Sequence, residues 1–211
     1  MATTWRAASS TGQGTGKRIF DVCASVAGLI LLSPLFAGIA IAIRCTSPGP
    51  VLFRQLRIGL GGRPFTILKF RTMVASAPSL GPNVSPADDP RVTRVGAFLR
   101  RRYLDEIPQL LNVLRGDMSV VGPRPETPEF VALYTPGERR VLQMRPGMAG
   151  PSTLAFESEA KVLAGTDDPY RYYVDHLLHE RVGADLEYLD RQSFLFDLHV
   201  VVKSVLMVLK E

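Results

Sequence analysis

The longest apolar run of the chain covers residues 22–43 and is interrupted near its midpoint by Ser33 and Pro34. As one straight helix it would be about 33 Å long, enough to cross the hydrocarbon core of a bilayer. Proline removes one intrahelical hydrogen bond and crowds the preceding turn, so the pattern predicts a bend at Pro34. Three interpretations fit this pattern: a spanning helix, a re-entrant helix–break–helix, and a helical hairpin buried in a protein core. Basic residues at both ends, Lys17 and Arg18 before and Arg44 after, favour a cytoplasmic position for both ends.

Two short runs of strand-forming residues follow, at 51–58 and 64–71, with a glycine-rich link at 59–62. This arrangement predicts an antiparallel β-hairpin. Lys69 and Arg71 are two positions apart and so share one face of the second strand. That face is either solvated or a binding face for an anion.

Helical periodicity returns after a proline-rich loop at 75–90. It predicts helices at 92–103, 105–115, 129–134, 137–144, 169–192 and 193–209. The first of these carries Arg94, Arg101 and Arg102, which either face solvent or rest on anionic lipid headgroups.

Asp105 and Glu106 begin the second helix of this series, where the helix dipole favours anionic groups. A simple capping role is common for such a pair. Their surroundings are less common, because residues 100–102 are all arginine and Arg124 follows in a Gly-Pro-Arg-Pro loop. Carboxylates among arginines are typical of a site that handles phosphate.

Composition narrows the class of partner. The chain has 211 residues, a net charge of +5 and a pI near 9.5, which suits an anionic partner. Only 8% of its residues are aromatic, which gives little support to a base-stacking platform, and we expect no nucleic-acid partner. Cys23 and Cys45 show no metal-binding spacing and no reason to pair, as in a reducing compartment. Residues 1–16 are rich in Gly, Ser and Thr and predict a disordered tail.

An ordered set of short motifs from Lys17 onwards resembles the bacterial sugar transferase family, the small monotopic phosphoglycosyl transferases. The motifs are Lys17-Arg18-Ile19-Phe20-Asp21, Ser33-Pro34, Ser47-Pro48-Gly49-Pro50-Val51, Lys69-Phe70-Arg71-Thr72-Met73, Asp89-Pro90-Arg91-Val92-Thr93, Leu104-Asp105-Glu106-Ile107-Pro108-Gln109-Leu110, Arg115-Gly116-Asp117-Met118-Ser119, Gly122-Pro123-Arg124-Pro125 and Arg145-Pro146-Gly147. Each motif alone is modest, but nine in this order are specific. The chain departs from the family pattern at Tyr103, where a small or hydroxyl residue is common.

The resemblance implies an enzyme on the cytoplasmic face of the bacterial inner membrane. It would move a sugar-1-phosphate from a UDP-sugar to polyprenyl (undecaprenyl) phosphate and release UMP. This is the first membrane step of glycan, exopolysaccharide or lipopolysaccharide assembly, with downstream glycosyltransferases as further partners. The resemblance makes Asp105 the nucleophile of a covalent aspartyl-phosphosugar intermediate and Glu106 the residue that holds a required Mg²⁺. The matching substrate-binding positions are Lys69, Arg71, Arg91, Gln109, Arg124 and Arg145.

The resemblance also favours the re-entrant interpretation, with the membrane break at Ser33 and Pro34. We therefore predict an α+β fold: a mainly helical monotopic membrane protein with a small β-hairpin and an N-terminal re-entrant helix–break–helix. The predicted parts are a disordered tail at 1–16, a re-entrant membrane hairpin at 17–46 and a cytoplasmic catalytic domain at 47–211. Two alternatives remain: an enzyme that transfers the group directly, with Asp105 only binding metal, and a basic, membrane-attached binding module.

Overall fold

The computed structural model describes residues 14–77, 80–81, 84–156 and 159–210. The chain is mostly helical and also contains an antiparallel hairpin and a short parallel pair of strands. The helices are α1 Thr15–Leu31, α2 Ser33–Thr46, α3 Arg94–Arg101, α4 Gln109–Arg115, α5 Pro128–Ala132, α6 Pro151–Ala155, α7 Glu159–Ala164, α8 Pro169–Tyr172, α9 Leu178–Arg191 and α10 Phe194–Lys210. The strands are β1 Leu52–Ile58, β2 Pro64–Phe70, β3 Ser119–Val121 and β4 Gly147–Ala149. The predicted mainly helical fold with a β-hairpin is confirmed. Most of the predicted tail, residues 1–13, lies outside the described residues, and α1 begins at Thr15.

The apolar run forms two helices, α1 and α2, which meet at Leu32 with a bend of 62°. Pro34 has no N–H to donate to the carbonyl of Ile30, four residues earlier. The hydroxyl of Ser33 donates to that carbonyl instead, at 2.8 Å. Among the described residues no single helix is long and apolar enough to cross a membrane, whereas this bent pair passes the same test of length and composition as a unit. The predicted bend near Pro34 is therefore confirmed, and the place of Ser33 and Pro34 in a membrane remains a prediction.

Helix α1 is tied to the rest of the chain by its first charged residues. Lys17 is buried and its ammonium lies 2.6 Å from Asp197 on α10. Arg18 donates to two carbonyls in the last turn of α4. Asp21, also buried, accepts from the hydroxyl of Ser119 on β3 at 3.0 Å. The N-terminal cations thus have specific protein partners besides any influence on membrane topology.

The hairpin holds the start of α4 at a fixed place. Strands β1 and β2 pair from Leu52–Phe70 to Ile58–Pro64. The fully buried side chain of Asn112 on α4 accepts from the Leu68 amide at 3.0 Å and donates to the Thr66 carbonyl at 2.7 Å. A buried amide with both ends paired allows little sliding. The segment before α4 therefore stays beside strand β2.

Two proline-containing loops pack against each other because glycines let their backbones touch. Gly147 donates its N–H to the carbonyl of Pro123 at 2.8 Å. A Cβ added to Gly147 would lie 2.1 Å from the nitrogen of Gly122, which is closer than any side chain tolerates. These positions need glycine because of the close approach. The contact carries Arg124 and Met148 to the same side of the molecule.

One predicted element begins later than expected. Asp105 and Glu106 form a separate 3₁₀ turn, Leu104–Glu106, and the α-helix starts only at Gln109. Pro108 cannot donate to the carbonyl of Leu104, so regular helical bonds begin after it. The prediction that the pair opens the helix is therefore wrong in detail. The predicted helix at 169–192 is also subdivided, by a π-helical turn at Tyr173–Leu177.

Candidate active site

An open cleft with about 280 Å³ of empty space lies between the hairpin, the start of α4 and the two proline-containing loops. It is mainly polar at its walls, with three cationic side chains and one carboxylate. The residues lining it are Arg57, Ile67, Lys69, Glu106, Gln109, Arg124, Pro125, Gly147, Met148 and Thr153. Of the predicted site residues, the structure brings together Glu106, Lys69, Gln109 and Arg124 here.

Strands β1 and β2 supply one wall through the alternation of their side chains. Ile67 and Lys69 are two apart on β2, and Arg57 on β1 pairs with Phe65, the next residue of the same face. Residues directly opposite in an antiparallel pair point to the same side. Sequence analysis missed Arg57, although the register of the predicted hairpin puts it on the same face of the sheet as Lys69.

Glu106 faces the cleft and is held by a cation. The ammonium of Lys69 lies 2.6 Å from its Oε1. Burial opposes ionisation of Glu106, but the charges of Lys69 and Arg124, with hydrogen bonds from Lys69 and Gln109, outweigh it and lower its pKa. Glu106 is therefore a carboxylate at neutral pH and available to a cation.

Asp105 lies next to Glu106 but is buried and is not among the residues that line the cleft. Desolvation raises its pKa, aided by the neighbouring charge of Glu106 and opposed by Lys69 and Arg100. The turn that carries it follows Tyr103, whose φ of 52° makes it the one non-glycine residue with a left-handed backbone among the described residues. Such a conformation is strained for a bulky side chain, and strain of this kind is frequent at functional sites.

Glu126 organises the opposite wall of the cleft. Its Oε1 lies 3.6 Å from Nε of Arg124 and accepts from the hydroxyl of Tyr173 at 2.9 Å, while Oε2 lies 3.3 Å from Arg57. Burial disfavours the charged form of Arg124, but Glu126 and Glu106 outweigh it and raise its pKa. Glu126 and Tyr173 were absent from the sequence-based site. Glu126 is only two residues from Arg124, but its other partners, Arg57 and Tyr173, come from chain segments far from it in sequence.

Asp185 on α9 fixes the backbone behind Arg124. One carboxylate oxygen accepts from the Arg124 amide at 2.9 Å and the other from the Ser152 amide at 3.3 Å. Burial raises the pKa of Asp185 to about 6, although these hydrogen bonds and Arg181 act against it. This carboxyl group therefore joins the Arg124 loop to the start of α6, which carries Thr153.

Three predicted substrate-binding residues lie away from the cleft. The guanidinium of Arg71 donates to the carbonyls of Ser47 and Pro48. Arg91 pairs with Asp89 at 2.7 Å, and Arg145 donates from Nε to the Gly116 carbonyl at 3.0 Å. The structure gives these arginines contacts that hold loops and a helix end together. Their part in binding substrate remains a prediction.

The predicted Mg²⁺ can be tested against the donors present. The described residues contain no cluster of three or more His, Cys, Asp or Glu side chains that could hold a metal ion. Mg²⁺ is commonly bound by one or two carboxylates together with substrate phosphates, and not by an all-protein cage. Glu106, ionised and in the cleft, provides such a carboxylate. The donor set therefore fits a Mg²⁺ that is shared with a diphosphate substrate.

Comparison with known proteins decides the family. The family model for bacterial sugar transferases matches residues 12–211. The chain belongs to the bacterial sugar transferase family. This confirms the family predicted from the motifs.

Three relatives show what reactions occur among similar proteins. A UDP-glucose:undecaprenyl-phosphate glucose-1-phosphate transferase of Caulobacter vibrioides is 42% identical over 202 residues, covering 90% of this chain and 68% of that protein. A transferase with the same name from Escherichia coli is 37% identical, covering 90% of this chain and 39% of its own length. A UDP-N-acetylgalactosamine-undecaprenyl-phosphate N-acetylgalactosaminephosphotransferase of Aeromonas hydrophila is 36% identical, covering 92% and 43% respectively. The chain thus spans less than half of the last two relatives, and the three names include two different sugars.

Proposed function

We propose that this protein transfers a sugar-1-phosphate from a UDP-sugar to undecaprenyl phosphate. The observation that carries the proposal is the cleft in which Lys69, Arg57 and Arg124 face Glu106, with Asp105 beside it. Cations clustered in a partly buried cleft suit the negative charge of a diphosphate. The named reactions of the relatives support the same reaction class, a phosphotransferase that acts on a polyprenyl phosphate.

In the first step, a carboxylate oxygen of Asp105 attacks the β-phosphorus of the UDP-sugar. The bond from that phosphorus to the bridging oxygen breaks, and UMP leaves with the oxygen. Lys69 and Arg124 bind phosphoryl oxygens and balance their charge. Glu106 would hold Mg²⁺, which would supply further charge neutralisation when bound. The product on the enzyme is an aspartyl-phosphosugar.

In the second step, an oxygen of undecaprenyl phosphate attacks the phosphorus of this intermediate. The phosphorus–oxygen bond to Asp105 breaks, the carboxylate is restored and a lipid-linked diphosphate sugar is formed. Arg124 and Lys69 serve the second phosphate as they served the first, because the two substrates occupy the cleft in turn. The cycle is therefore of the ping-pong type.

Such a reaction needs the cleft at the surface of a membrane, and we propose that α1 and α2 provide the anchor as a re-entrant hairpin at the cytoplasmic face of the bacterial inner membrane. Large apolar side chains on both helices are exposed, among them Ile30 at 67%, Leu31 at 77% and Ile41 at 64%. The Ser33 hydroxyl satisfies the Ile30 carbonyl, which supports a bend in a medium that offers no water to unpaired backbone groups.

The test omits the lipid substrate. Enzyme, Mg²⁺ and a panel of UDP-sugars should give a burst of at most about one equivalent of UMP with the correct sugar, and mass spectrometry should find a phosphosugar on the peptide containing Asp105. Asp105→Asn should abolish the burst, and Glu106→Gln should weaken Mg²⁺ binding, so that the burst needs a higher Mg²⁺ concentration. Arg171→Gln, an exposed change on α8, is the matched control and should keep the burst.

The burial of Asp105 favours one competing mechanism, direct transfer with both substrates bound together. UMP release that requires undecaprenyl phosphate, with no adduct on Asp105, would establish it and exclude the covalent step. Release from no UDP-sugar under any condition, together with salt-sensitive RNA binding, would instead support a basic binding module.

A further inference from the structure

Helix α3 presents a basic face with an aromatic residue at its centre. Arg94, Phe98, Arg101 and Arg102 are exposed, and Phe98 is 48% accessible. With about 100° per residue, Arg94, Phe98 and Arg101 fall within an arc of about 60° on one side of the helix. Arg102, the residue directly after α3, lies on the same side, over the Phe98 ring. We call these four residues the α3 face.

The opposite side of α3 packs against the bent helix pair. Leu99 is 1% exposed and belongs to one apolar cluster with Ile39 and Ile43 of α2. Gly96 lies so close to the end of the hairpin that an added Cβ would be 1.9 Å from the Thr72 carbonyl oxygen. Helix α3 is thus fixed beside α2, and its basic face lies at the margin of the proposed membrane anchor.

The charges of the α3 face are not neutralised within the part of the chain that the structure describes. None of the ion pairs found there involves Arg94, Arg101 or Arg102. The guanidinium of Arg102 lies 6.0 Å from the centre of the Phe98 ring, so the aromatic and the cation form one unit. An exposed aromatic surrounded by arginines fits the headgroup layer of an anionic bilayer, where rings take the boundary and cations meet lipid phosphates.

We propose that the α3 face binds the headgroups of anionic phospholipids at the margin of the α1–α2 anchor. This inference rests on the proposed membrane attachment. Since α3 ends at Arg101 and Asp105 follows within one short turn, lipid contact on α3 would set the depth of the Asp105–Glu106 pair relative to the headgroups.

The experiment uses the full chain in nanodiscs made of equal parts phosphatidylglycerol and phosphatidylcholine. Trp5→Phe removes the single native tryptophan, and Phe98→Trp places a reporter on the α3 face. Brominated phosphatidylglycerol should quench this tryptophan at least twofold more strongly than brominated phosphatidylcholine. Arg101→Trp serves as a second reporter on the same face. Leu133→Trp, at the exposed position directly after α5, should show no quenching by either lipid.

Charge dependence is tested by Arg94→Gln, Arg101→Gln and Arg102→Gln in the Phe98→Trp background. The ratio of quenching by brominated phosphatidylglycerol to quenching by brominated phosphatidylcholine should then fall to about one. The matched control replaces three other exposed arginines, Arg54, Arg63 and Arg171, and should leave the ratio unchanged.

Three outcomes would overturn the proposal. These are absence of quenching at both reporters, equal quenching by the two lipids, and a concentration-dependent blue shift without lipid quenching, which would assign the face to a second copy of the chain. UMP release measured on the same discs keeps the two proposals apart. Lipid-selective quenching without UMP release would contradict the proposed reaction but would still support lipid binding by the α3 face.

Discussion

The arginines of this chain differ most in what their guanidinium groups contact. Arg71 and Arg145 donate to main-chain carbonyls, and such bonds hold backbone segments in place. Arg124 instead lies beside Glu126 and lines an open cleft together with the carboxylate of Glu106. A guanidinium in a cleft can bind two phosphate oxygens at once with its planar fork, which an ammonium cannot. Arg124 therefore carries the strongest expectation of a direct phosphate contact.

We expect Arg124→Lys to lower kcat/KM for the UDP-sugar by about 10- to 150-fold, since one bidentate charged contact is worth about 1.5–3 kcal/mol. Steady-state UMP release with saturating undecaprenyl phosphate measures the effect. Arg145→Lys is the matched control and should change kcat/KM less, because Arg145 does not line the cleft. Unchanged kinetics of Arg124→Lys would assign Arg124 a structural role only.

At the scale of elements, α9 acts as a support behind the cleft through Asp185. A carboxyl group whose pKa is about 6 in the folded chain and 3.8 as a free side chain binds its proton more tightly when folded. Its contribution to the free energy of unfolding is therefore fully present below pH 4 and is lost as the pH rises through about 6. The shift corresponds to about 3 kcal/mol.

We expect the stability of the wild type relative to Asp185→Asn to fall by about 2.5 kcal/mol between pH 4 and pH 7, most of the full shift. The amide has one acceptor oxygen for the two amides that Asp185 binds, so a constant loss of stability is superimposed. Urea unfolding in mild detergent at several pH values gives the difference. A difference in unfolding free energy between the wild type and Asp185→Asn that does not change with pH would contradict the raised pKa of Asp185.

Elements defined by local signals were predictable, and those defined by distant contacts were not. The bend at Pro34 and the β1–β2 hairpin follow from residues next to each other in the sequence. The cleft wall around Glu126 depends on Arg57 and Tyr173, which lie 69 and 47 residues away from it along the chain. No local pattern encodes such an approach. The motifs pointed to Lys69 and Arg124, but only the packed structure separates them from Arg71 and Arg91.

The whole molecule couples a bent apolar helix pair to the part of the chain that follows it, residues 47–210, through buried charges; we call this part the body. Lys17 and Asp21 of α1 are paired with Asp197 and Ser119, so α1 is joined to the body on the side of its first turns. A helix pair that crossed the membrane would have the first turns of α1 on one side and the body on the other. These pairs instead hold the first turns of α1 against the body. Both ends of the apolar pair should therefore lie on one side of the membrane.

We expect an impermeant thiol reagent to label residues before α1 and residues of the body from the same side of the inner membrane. A background with Cys23→Ser and Cys45→Ser removes the two exposed native thiols, and Ser10→Cys or Asp88→Cys then introduces one reporter. An impermeant maleimide should reach either reporter only after the inner membrane is permeabilised.

Ser33→Ala combined with Pro34→Leu restores an N–H for the Ile30 carbonyl, and the straightened segment is long enough to span. In that variant, part of the Ser10→Cys population should become accessible from outside, whereas Ser33→Ala alone, which keeps the proline, should not. Labelling of the two reporters from opposite sides without these changes would exclude the re-entrant hairpin and leave a spanning helix.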